Sequence, residues 1–399
     1  MVTPDRFPGG VYAHIVGWGM AVPETVLTNE DLAAIVETSD EWILERTGIR
    51  TRHIAGERES TATLGLKAAQ RALEVADILP DELDLIIVAT STPENIFPST
   101  ASLIQDMLGA TYAGAFDLSA ACSGFVYAVN MAAQSIRSGS IERALVIGSE
   151  TMTRVLDWQD RSTCILFGDG AGAIVLQARD EPGGVLSSVL RSDGSGHDLL
   201  GIPTVGSMDI QVSGLSPNGH KFHKMHMEGG EVFKFATRVI GESVREATAQ
   251  AGIQLSDLKL NVPHQANERI IQAAARNLGL DRNLFMVNLD KYGNTSAASI
   301  PIALVEAIEQ GKVSEGDYLA FVGFGGGLTW AAMVVQWSGP QEENRFGSQR
   351  RQLSYAVSAW RGRLRRFVRR YIDLFNRVRP KRGRLMRLRR RIDERIKDL

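Results

Sequence analysis

The sequence predicts an α/β layered fold built from two similar halves, followed by a basic helical extension. Three observations carry that expectation. Short, continuously apolar strands such as "LDLIIVAT" and "RALVIGSE" alternate with helical patterns, as they do in sheets covered on both faces. The second half repeats the first: "ALEVADILPDELDLIIV" (72–88) aligns with "ATAQAGIQLSDLKLNVP" (247–263). In that alignment Ala76, Ile78, Leu83 and Leu85 stand opposite Ala251, Ile253, Leu258 and Leu260 at one constant offset. Finally, 399 residues of which 44% are hydrophobic suffice for large buried cores, which excludes a disordered chain.

Along the chain, "STATLGLKAAQRALEVADI" has helical periodicity behind a Ser/Thr start, and "LDLIIVAT" follows as a strand. "SGFVYAVNMAAQSIRSGS" reads as a helix leading into the strand "RALVIGSE". "GDGAGAIVLQ" reads as a Gly-rich turn feeding a further strand, with a counterpart in "GFGGGLTWAAMVVQ". A helix ending "SIRSGSIE" has its counterpart in one ending "AIEQGKVSEG". The expected boundaries are 1–185 for the first half, 186–338 for the second, and 339–399 for a linker and tail.

Charge divides the chain in the same way. The net charge is −2, yet residues 340–399 hold 20 Lys or Arg against 6 Asp or Glu, leaving 24 against 40 in the remainder. An acidic body with a separate basic arm is therefore expected. In that arm Leu353, Val357, Trp360, Leu364, Phe367, Tyr371, Leu374 and Val378 step alternately by 4 and 3, an apolar stripe on an Arg-rich helix ended by Pro380. Two cysteines are too few for a disulfide framework, and no apolar run reaches the length of a signal peptide or a spanning helix. A cytoplasmic protein is expected.

Candidate chemistry begins with Cys122 in "DLSAACSGFVYAVN", between small residues just before a helix. A helix N-terminus offers partial positive charge to a thiolate. Taken alone, Cys122 has a structural reading as a small buried hydrophobe. His264 in "NVPHQAN" follows a strand, and Asn294 in "DKYGNTSAAS" precedes a helix; each alone reads as a satisfied loop histidine or a helix cap. Together, Cys, His and Asn permit acyl transfer through a thioester, with two neutral donors for a developing oxyanion. "GFGGGLTW" adds backbone N–H groups unobstructed by side chains.

The chain resembles the β-ketoacyl-acyl-carrier-protein synthase III family of condensing enzymes, from about residue 11 to 337. The resemblance rests on "TSDEWILERTGIRTRHI", "AACSGF", "FGDGAGA", "VPHQAN", "YGNTSAAS" and "GFGGGLTW", in the family's order and spacing. It implies a thiolase-like αβαβα arrangement of two duplicated halves, with Cys122 as nucleophile and His264 and Asn294 as its partners. It further implies an oxyanion hole from the backbone of Cys122 and Gly326, and decarboxylative condensation of a short acyl-CoA with malonyl-carrier protein. Thr38, Trp42, Arg46, Arg161 and Asn267 match CoA-binding positions; Trp42 otherwise reads as a packing aromatic. Phe97 matches a residue that closes the acyl pocket across a homodimer. Lys234 and Arg269 match basic positions that receive the acyl carrier protein.

Alternatives are a relative serving a specialised polyketide or lipid pathway, or a degenerate body kept as a membrane or carrier-protein scaffold. The intact Cys122, His264 and Asn294 argue against the scaffold. No cofactor is expected. "GFGGG" and "GDGAGA" precede strands rather than opening helices, which removes the mechanical reason for a dinucleotide site. His220, His223 and His226 of "GHKFHKMH" are expected to be loop or strand-edge histidines rather than metal ligands, with no acidic partner in view. Gly230 in "MEGGEVF" replaces the family's frequent Asn in a segment expected to be a strand. Cys164 is expected in a core strand. The tail, about residues 350–399, departs from the family pattern. An anionic membrane surface, self-association and docking on the body are its expected roles, and nucleic acid is not expected.

Overall fold

Two sheets form the centre of the computed structural model, which describes residues 10–204 and 219–339 together with Val357, Trp360, Leu364, Phe367, Val368, Arg370, Tyr371 and Ile372. In the first, the strands run Tyr12–Ala21, Asp169–Arg179, Arg143–Thr151, Leu85–Ala89 and Gly114–Leu118 across the sheet. In the second, the order is Gly184–Ser192, Thr329–Gln336, Tyr318–Gly325 and Leu258–Pro263. Both keep one scheme: antiparallel, antiparallel, then parallel. A parallel bridge between Asn261 and Phe285 stands where the first sheet has its fifth strand.

The segments aligned by sequence are structural equivalents. Helix Thr61–Ala76 ends on Asp77 and helix Gly229–Ala251 on Gly252, both left-handed. Each then passes through one 3₁₀ turn into a parallel strand of its sheet. Helix Thr61–Ala76 starts at Ser60, whose hydroxyl accepts the Thr63 N–H at 3.2 Å, while the Thr63 hydroxyl accepts the Ser60 N–H at 2.7 Å. This reciprocal cap satisfies two orphan donors and explains why the helix begins at the Ser/Thr run.

Helices Gly124–Arg137 and Ser299–Glu309 lie between the sheets, where Phe125, Val129, Ile300 and Leu304 share one core with Val146, Ile174, Val262 and Phe321. Full burial of each such side chain contributes roughly 1.5–3 kcal/mol. Helices Thr61–Ala76 and Thr100–Leu108 cover the outer face of the first sheet, and Gly229–Ala251 and Glu268–Leu278 that of the second. The layers are therefore αβαβα, the thiolase-like arrangement.

Three local expectations are corrected. "GDGAGA" is strand rather than turn: Asp169–Arg179 runs through it, and its glycines admit the central helix. A Cβ at Gly172 would sit 2.6 Å from Pro301 Cβ and 2.8 Å from the Ile302 nitrogen. "MEGGEVF" is mostly helical, because Val232, Phe235, Ala236 and Val239 recur at helical spacing and face the core. Only His226–Met227 is strand there, paired with Leu200–Gly201. Cys164 ends a short helix, Arg161–Cys164, because Asp160 caps it by accepting the Ser162 N–H at 2.9 Å. Cys164 is still buried, packed near Met152 and Phe167.

Close backbone approach between the halves has a measurable consequence. A Cβ at Gly148 would lie 2.3 Å from the Ala297 carbonyl oxygen, a backbone atom that cannot rotate away. Gly148→Ala is expected to lower unfolding free energy by about 1–3 kcal/mol or more, read from the urea midpoint. An unchanged midpoint would show that this contact relaxes freely.

In the extension, the described residues are helical. Trp360, Phe367 and Tyr371 are more than 60% exposed, so the apolar side chains there have no core to cover them. Leu353, Leu374, Phe375, Val378 and Pro380 lie outside the described residues. Among the described residues, no helix is long and apolar enough to cross a membrane.

Candidate active site

Loops at the carboxyl ends of the parallel strands meet from both halves, as they do where open α/β sheets bind ligands. They enclose a cavity of about 710 Å³ whose wall includes Cys122, His264, Asn294, Ser296 and Gly326. The three residues proposed from sequence, 142 and 30 positions apart in turn, thus share one space.

Cys122 sits in the 3₁₀ turn Ala121–Ser123 that joins strand Gly114–Leu118 to helix Gly124–Arg137. The turn is tight enough to hold Ala121 at φ +45°, a left-handed conformation that costs an alanine about 1–2 kcal/mol. Across the cavity floor, glycines let the second sheet touch the nucleophile's own backbone. A Cβ at Gly325 would lie 2.7 Å from the Cys122 nitrogen, and one at Gly323 would lie 3.1 Å from its carbonyl oxygen.

The thiol donates to the Ser296 hydroxyl at 3.5 Å, which donates to the Glu150 carboxylate at 2.9 Å. Glu150 is fully buried and also accepts from the Thr92 hydroxyl at 2.6 Å, the Thr90 hydroxyl at 3.1 Å and the Ser91 N–H at 3.0 Å. Burial pushes its carboxyl above the usual range, against the pull of those hydrogen bonds.

The helix terminus is not the dominant influence on the Cys122 thiol. Cys122 does precede a helix, but burial pushes the thiol up to about 12, and the nearby Glu150 charge adds to the effect. Desolvation outweighs the helix terminus, whose stabilisation of a charge is typically below about 2 kcal/mol.

His264 follows strand Leu258–Pro263, its N–H donating to the Val322 carbonyl at 2.8 Å. Its Nδ1 lies 2.6 Å from the Ser299 hydroxyl, which also accepts the Gln265 N–H at 3.4 Å. Nδ1 is thereby engaged by the Ser299 hydroxyl, and in the tautomer in which that hydroxyl donates to it the ring proton rests on Nε2. Phe324 meets the ring edge-on, with centroids 5.2 Å apart. Burial lowers the imidazole to about 3, so His264 is neutral at pH 7.

This shift links stability to pH. An imidazole at about 3 in the fold, against 6.5 for the free side chain, takes up its proton on unfolding anywhere between those values. Its contribution is intact above 6.5 and is lost as pH falls through that window, at about 1.4 kcal/mol per pH unit. Urea midpoints measured from pH 7 to pH 4 should fall, and fall less steeply in His264→Gln. Equal slopes would refute the assignment.

Asn294 is buried in the loop between helix Leu289–Tyr292 and the turn Ser296–Ala298. Its N–H donates to the Leu166 carbonyl at 2.8 Å and its carbonyl accepts the Gly168 N–H at 3.1 Å. The side-chain Oδ1 accepts the Ser296 N–H at 2.8 Å, which fixes the amide so that Nδ2 is the atom left for a ligand. Ser296, Ser299 and Glu150 went unnoticed in the sequence. The two serines lie inside "YGNTSAAS", and an acid closing the apolar strand "RALVIGSE" was the available signal for a buried carboxylate.

Of the residues proposed for CoA, Asn267 lines the cavity, and Trp42, Arg46 and Arg161 gather on one another. The Arg46 and Arg161 guanidinium carbons each lie 4.7 Å from the centre of the Trp42 ring. Asn267 caps helix Glu268–Leu278, donates to the Arg46 carbonyl at 2.9 Å and lines the cavity. The Thr38 hydroxyl is buried and has no hydrogen-bond partner among the described residues. Arg269 lies over Phe233, 5.8 Å from the ring centre, and Phe233 lines the cavity. Lys234 is exposed and paired with Glu231 at 2.8 Å. Phe97 is 84% exposed beside Ile96, which lines the cavity.

The histidines of "GHKFHKMH" lie in a loop, His220 and His223, or in a short strand, His226, and His223 Nδ1 is 3.3 Å from the Thr204 hydroxyl. His220 and His226 stack on each other and gather with Asp198, so an acidic partner does exist, 22 residues upstream of His220.

Comparisons with known proteins follow the same lines. Residues 116–194 match the profile of 3-oxoacyl-[acyl-carrier-protein] synthase III, and residues 248–337 match that of its C-terminal region. The chain is 52% identical over 328 residues to the β-ketoacyl-[acyl-carrier-protein] synthase III of Desulfitobacterium hafniense DCB-2, covering 82% of this chain and 98% of that one. It is 51% identical over 327 residues to the enzyme of the same name from Roseiflexus sp. RS-1, covering 82% and 99%. Among solved structures, 3-oxoacyl-[acyl-carrier-protein] synthase III from Aquifex aeolicus VF5 is similar at a TM-score of 0.75 and 46% identity, covering 82% and 100%. The priming β-ketosynthase of the R1128 polyketide biosynthetic pathway is similar at 0.77 and 36%, covering 85% and 100%.

Proposed function

This chain belongs to the β-ketoacyl-[acyl-carrier-protein] synthase III family of condensing acyltransferases, and from that premise we propose that Cys122, His264 and Asn294 carry its reaction. The reaction is decarboxylative condensation of an acyl-CoA with malonyl-carrier protein, the opening step of fatty-acid synthesis. The observation that carries the assignment is the convergence of the three side chains on one buried cavity.

In the first half-reaction the Cys122 sulfur attacks the acyl-CoA thioester, the bond from carbonyl carbon to CoA sulfur breaks, and the thiol proton leaves on CoA. A neutral resting thiol suits this step, since no buried charge has to be maintained between turnovers. In the second, malonyl-carrier protein loses CO₂ and the released electron pair forms an enolate. Nε2–H of His264 and Nδ2–H of Asn294 donate to its oxygen, both neutral and both already oriented. The carbanion attacks the acyl-cysteine carbonyl while the backbone N–H groups of Cys122 and Gly326 hold the second oxyanion. Its collapse breaks the bond from acyl carbon to Cys122 sulfur, ketoacyl-carrier protein leaves, and the thiolate takes a proton from solvent.

Trp42, stacked with Arg46 and Arg161, offers a face for adenine, with Thr38 and Asn267 along the pantetheine path. Lys234 and Arg269 flank the mouth on the side where an acidic carrier protein docks. Exposed Phe97 supports a homodimer in which it reaches a partner's acyl pocket. Two free thiols suit a reducing cytoplasm. For the tail, exposed Trp360, Phe367 and Tyr371 on an Arg-rich helix support peripheral binding to an anionic membrane. Removing residues 340–399 is expected to abolish sedimentation with anionic liposomes and leave synthase activity; unchanged partitioning would refute the membrane role.

The test of the function is mass spectrometry of the intact protein with a panel of acyl-CoAs, followed by malonyl-carrier protein. An acyl adduct on Cys122 that discharges as ketoacyl-carrier protein is expected. An adduct that never discharges would refute condensation. The likeness to a polyketide priming synthase makes longer acyl groups part of the panel.

A further inference from the structure

A second cluster of metal-binding side chains stands outside the catalytic chemistry. Asp198, His220 and His226 each place one donor atom within 4.8 Å of the others. His220 Nε2 and Asp198 Oδ1 are 3.7 Å apart. The His220 and His226 rings stack with centroids 3.6 Å apart and planes 5° from parallel. Among the described residues, neither ring nitrogen of His226 has a hydrogen-bond partner, and both are shielded from solvent. Burying such nitrogens unsatisfied is costly, and a ligand on one of them would offset that cost.

We propose that Asp198, His220 and His226 form a site for a divalent transition metal of the zinc type, bracing the wall of the catalytic cavity. Two imidazoles and one carboxylate are a borderline donor set, suited to zinc rather than to magnesium or calcium, which prefer all-oxygen shells. Tetrahedral zinc with bonds near 2.0–2.1 Å needs donors roughly 3.3 Å apart, so donors within 4.8 Å of one another close by at most about 1.5 Å. Parallel rings do not converge on one ion, so binding turns one imidazole about its Cβ–Cγ bond. His220, on the rim, is the ring that turns. His226 is held by the pairing of His226 with Gly201 in the short ladder, and a Cβ at Gly201 would come within 3.0 Å of the ring.

The position indicates what the metal does. Leu200, Gly201, Met225 and Met227, the ladder neighbours of these ligands, all line the catalytic cavity. The ligands also come from both sides of residues 205–218, so one ion ties the segment entering that stretch to the segment leaving it. Solvent completes the fourth position beside Asp198, whose side chain is 49% exposed.

The test uses the full chain, stripped with a chelator and titrated with zinc chloride by calorimetry, with zinc content measured after gel filtration. One zinc per chain is expected in the native protein and in Cys122→Ala, with at least about tenfold weaker binding in His226→Ala, Asp198→Asn and His220→Ala. The last two replace part-exposed rim residues and keep the test valid if His226→Ala misfolds. Cobalt substituted for zinc should show visible bands of nitrogen and oxygen ligation. A thiolate charge-transfer band, loss of binding in Cys122→Ala, binding unaffected by the rim variants, or no bound zinc would each overturn the proposal.

Discussion

Cys122→Ala is expected to eliminate the acyl adduct and lower overall synthesis by on the order of 10⁴-fold or more, because the covalent step has no substitute. The Ser296 hydroxyl touches the thiol but is aimed at Glu150, so it is held as a hydrogen-bond relay rather than poised as a replacement nucleophile. Decarboxylation of malonyl-carrier protein should persist in this variant, since His264 and Asn294 are anchored by Ser299 and by the Ser296 backbone, not by the cysteine. The check is intact-protein mass after acyl-CoA treatment, with CO₂ release measured separately. An adduct that survives the substitution would move the nucleophile elsewhere, and the buried Cys164 offers no alternative, since it lies in the core.

Asn294→Ala should divide the two half-reactions. Acylation of Cys122 is expected to stay within a few-fold of native, while condensation falls by about 10²–10³, the cost of one lost oxyanion donor. Because Asn294 Oδ1 also accepts the Ser296 N–H, alanine removes a structural bond with the catalytic one. Ser296 is held at φ +49°, so that bond helps fix a strained turn. Asn294→Asp separates the two effects: it keeps the acceptor for Ser296 and removes the Nδ2 donor. Condensation lost in both variants with acylation retained supports the division of labour. Equal loss of both half-reactions, or recovery in Asn294→Asp, would refute it.

Much of the fold was legible because its local signals agree. The Ser60 cap, the apolar periodicity of the long helices and the continuous apolar strands all point the same way, and the repeat at constant offset marks two equivalent helix–turn–strand units. Misreadings fell where a tertiary contact overrides local habit. The glycines of "GDGAGA" look like a turn, yet they are strand residues that admit a helix against the sheet. "MEGGEVF" is expected as a strand from its likeness to a family motif, while the packing of Val232 and Phe235 against the second sheet decides for helix.

The site divides in the same manner. Cys122, His264 and Asn294 were visible as residues of the right type in loops after strands or before helices. Their electrostatic state was not visible. Sequence suggested a thiolate at a helix terminus, whereas burial holds the thiol protonated and the imidazole neutral. Glu150 and Ser296 meet only because a strand of the first half packs against a turn of the second. Asp198 is a similar case, since nothing in the spacing of three histidines announces a carboxylate from an earlier loop.

What the sequence by itself determined is the kind of protein: two equivalent α/β halves, a cysteine with histidine and asparagine partners, and an arginine-rich arm. Periodicity, capping and residue type are local properties, and local properties can be read along a chain. Tertiary structure alone decided which groups meet and what charge each bears. Proximity between residues 122, 150, 264 and 296 depends on how the sheets twist and pack, and a pKa depends on how completely that packing excludes water. Cys122 was a candidate because of its neighbours in sequence; its protonated state comes from neighbours in space.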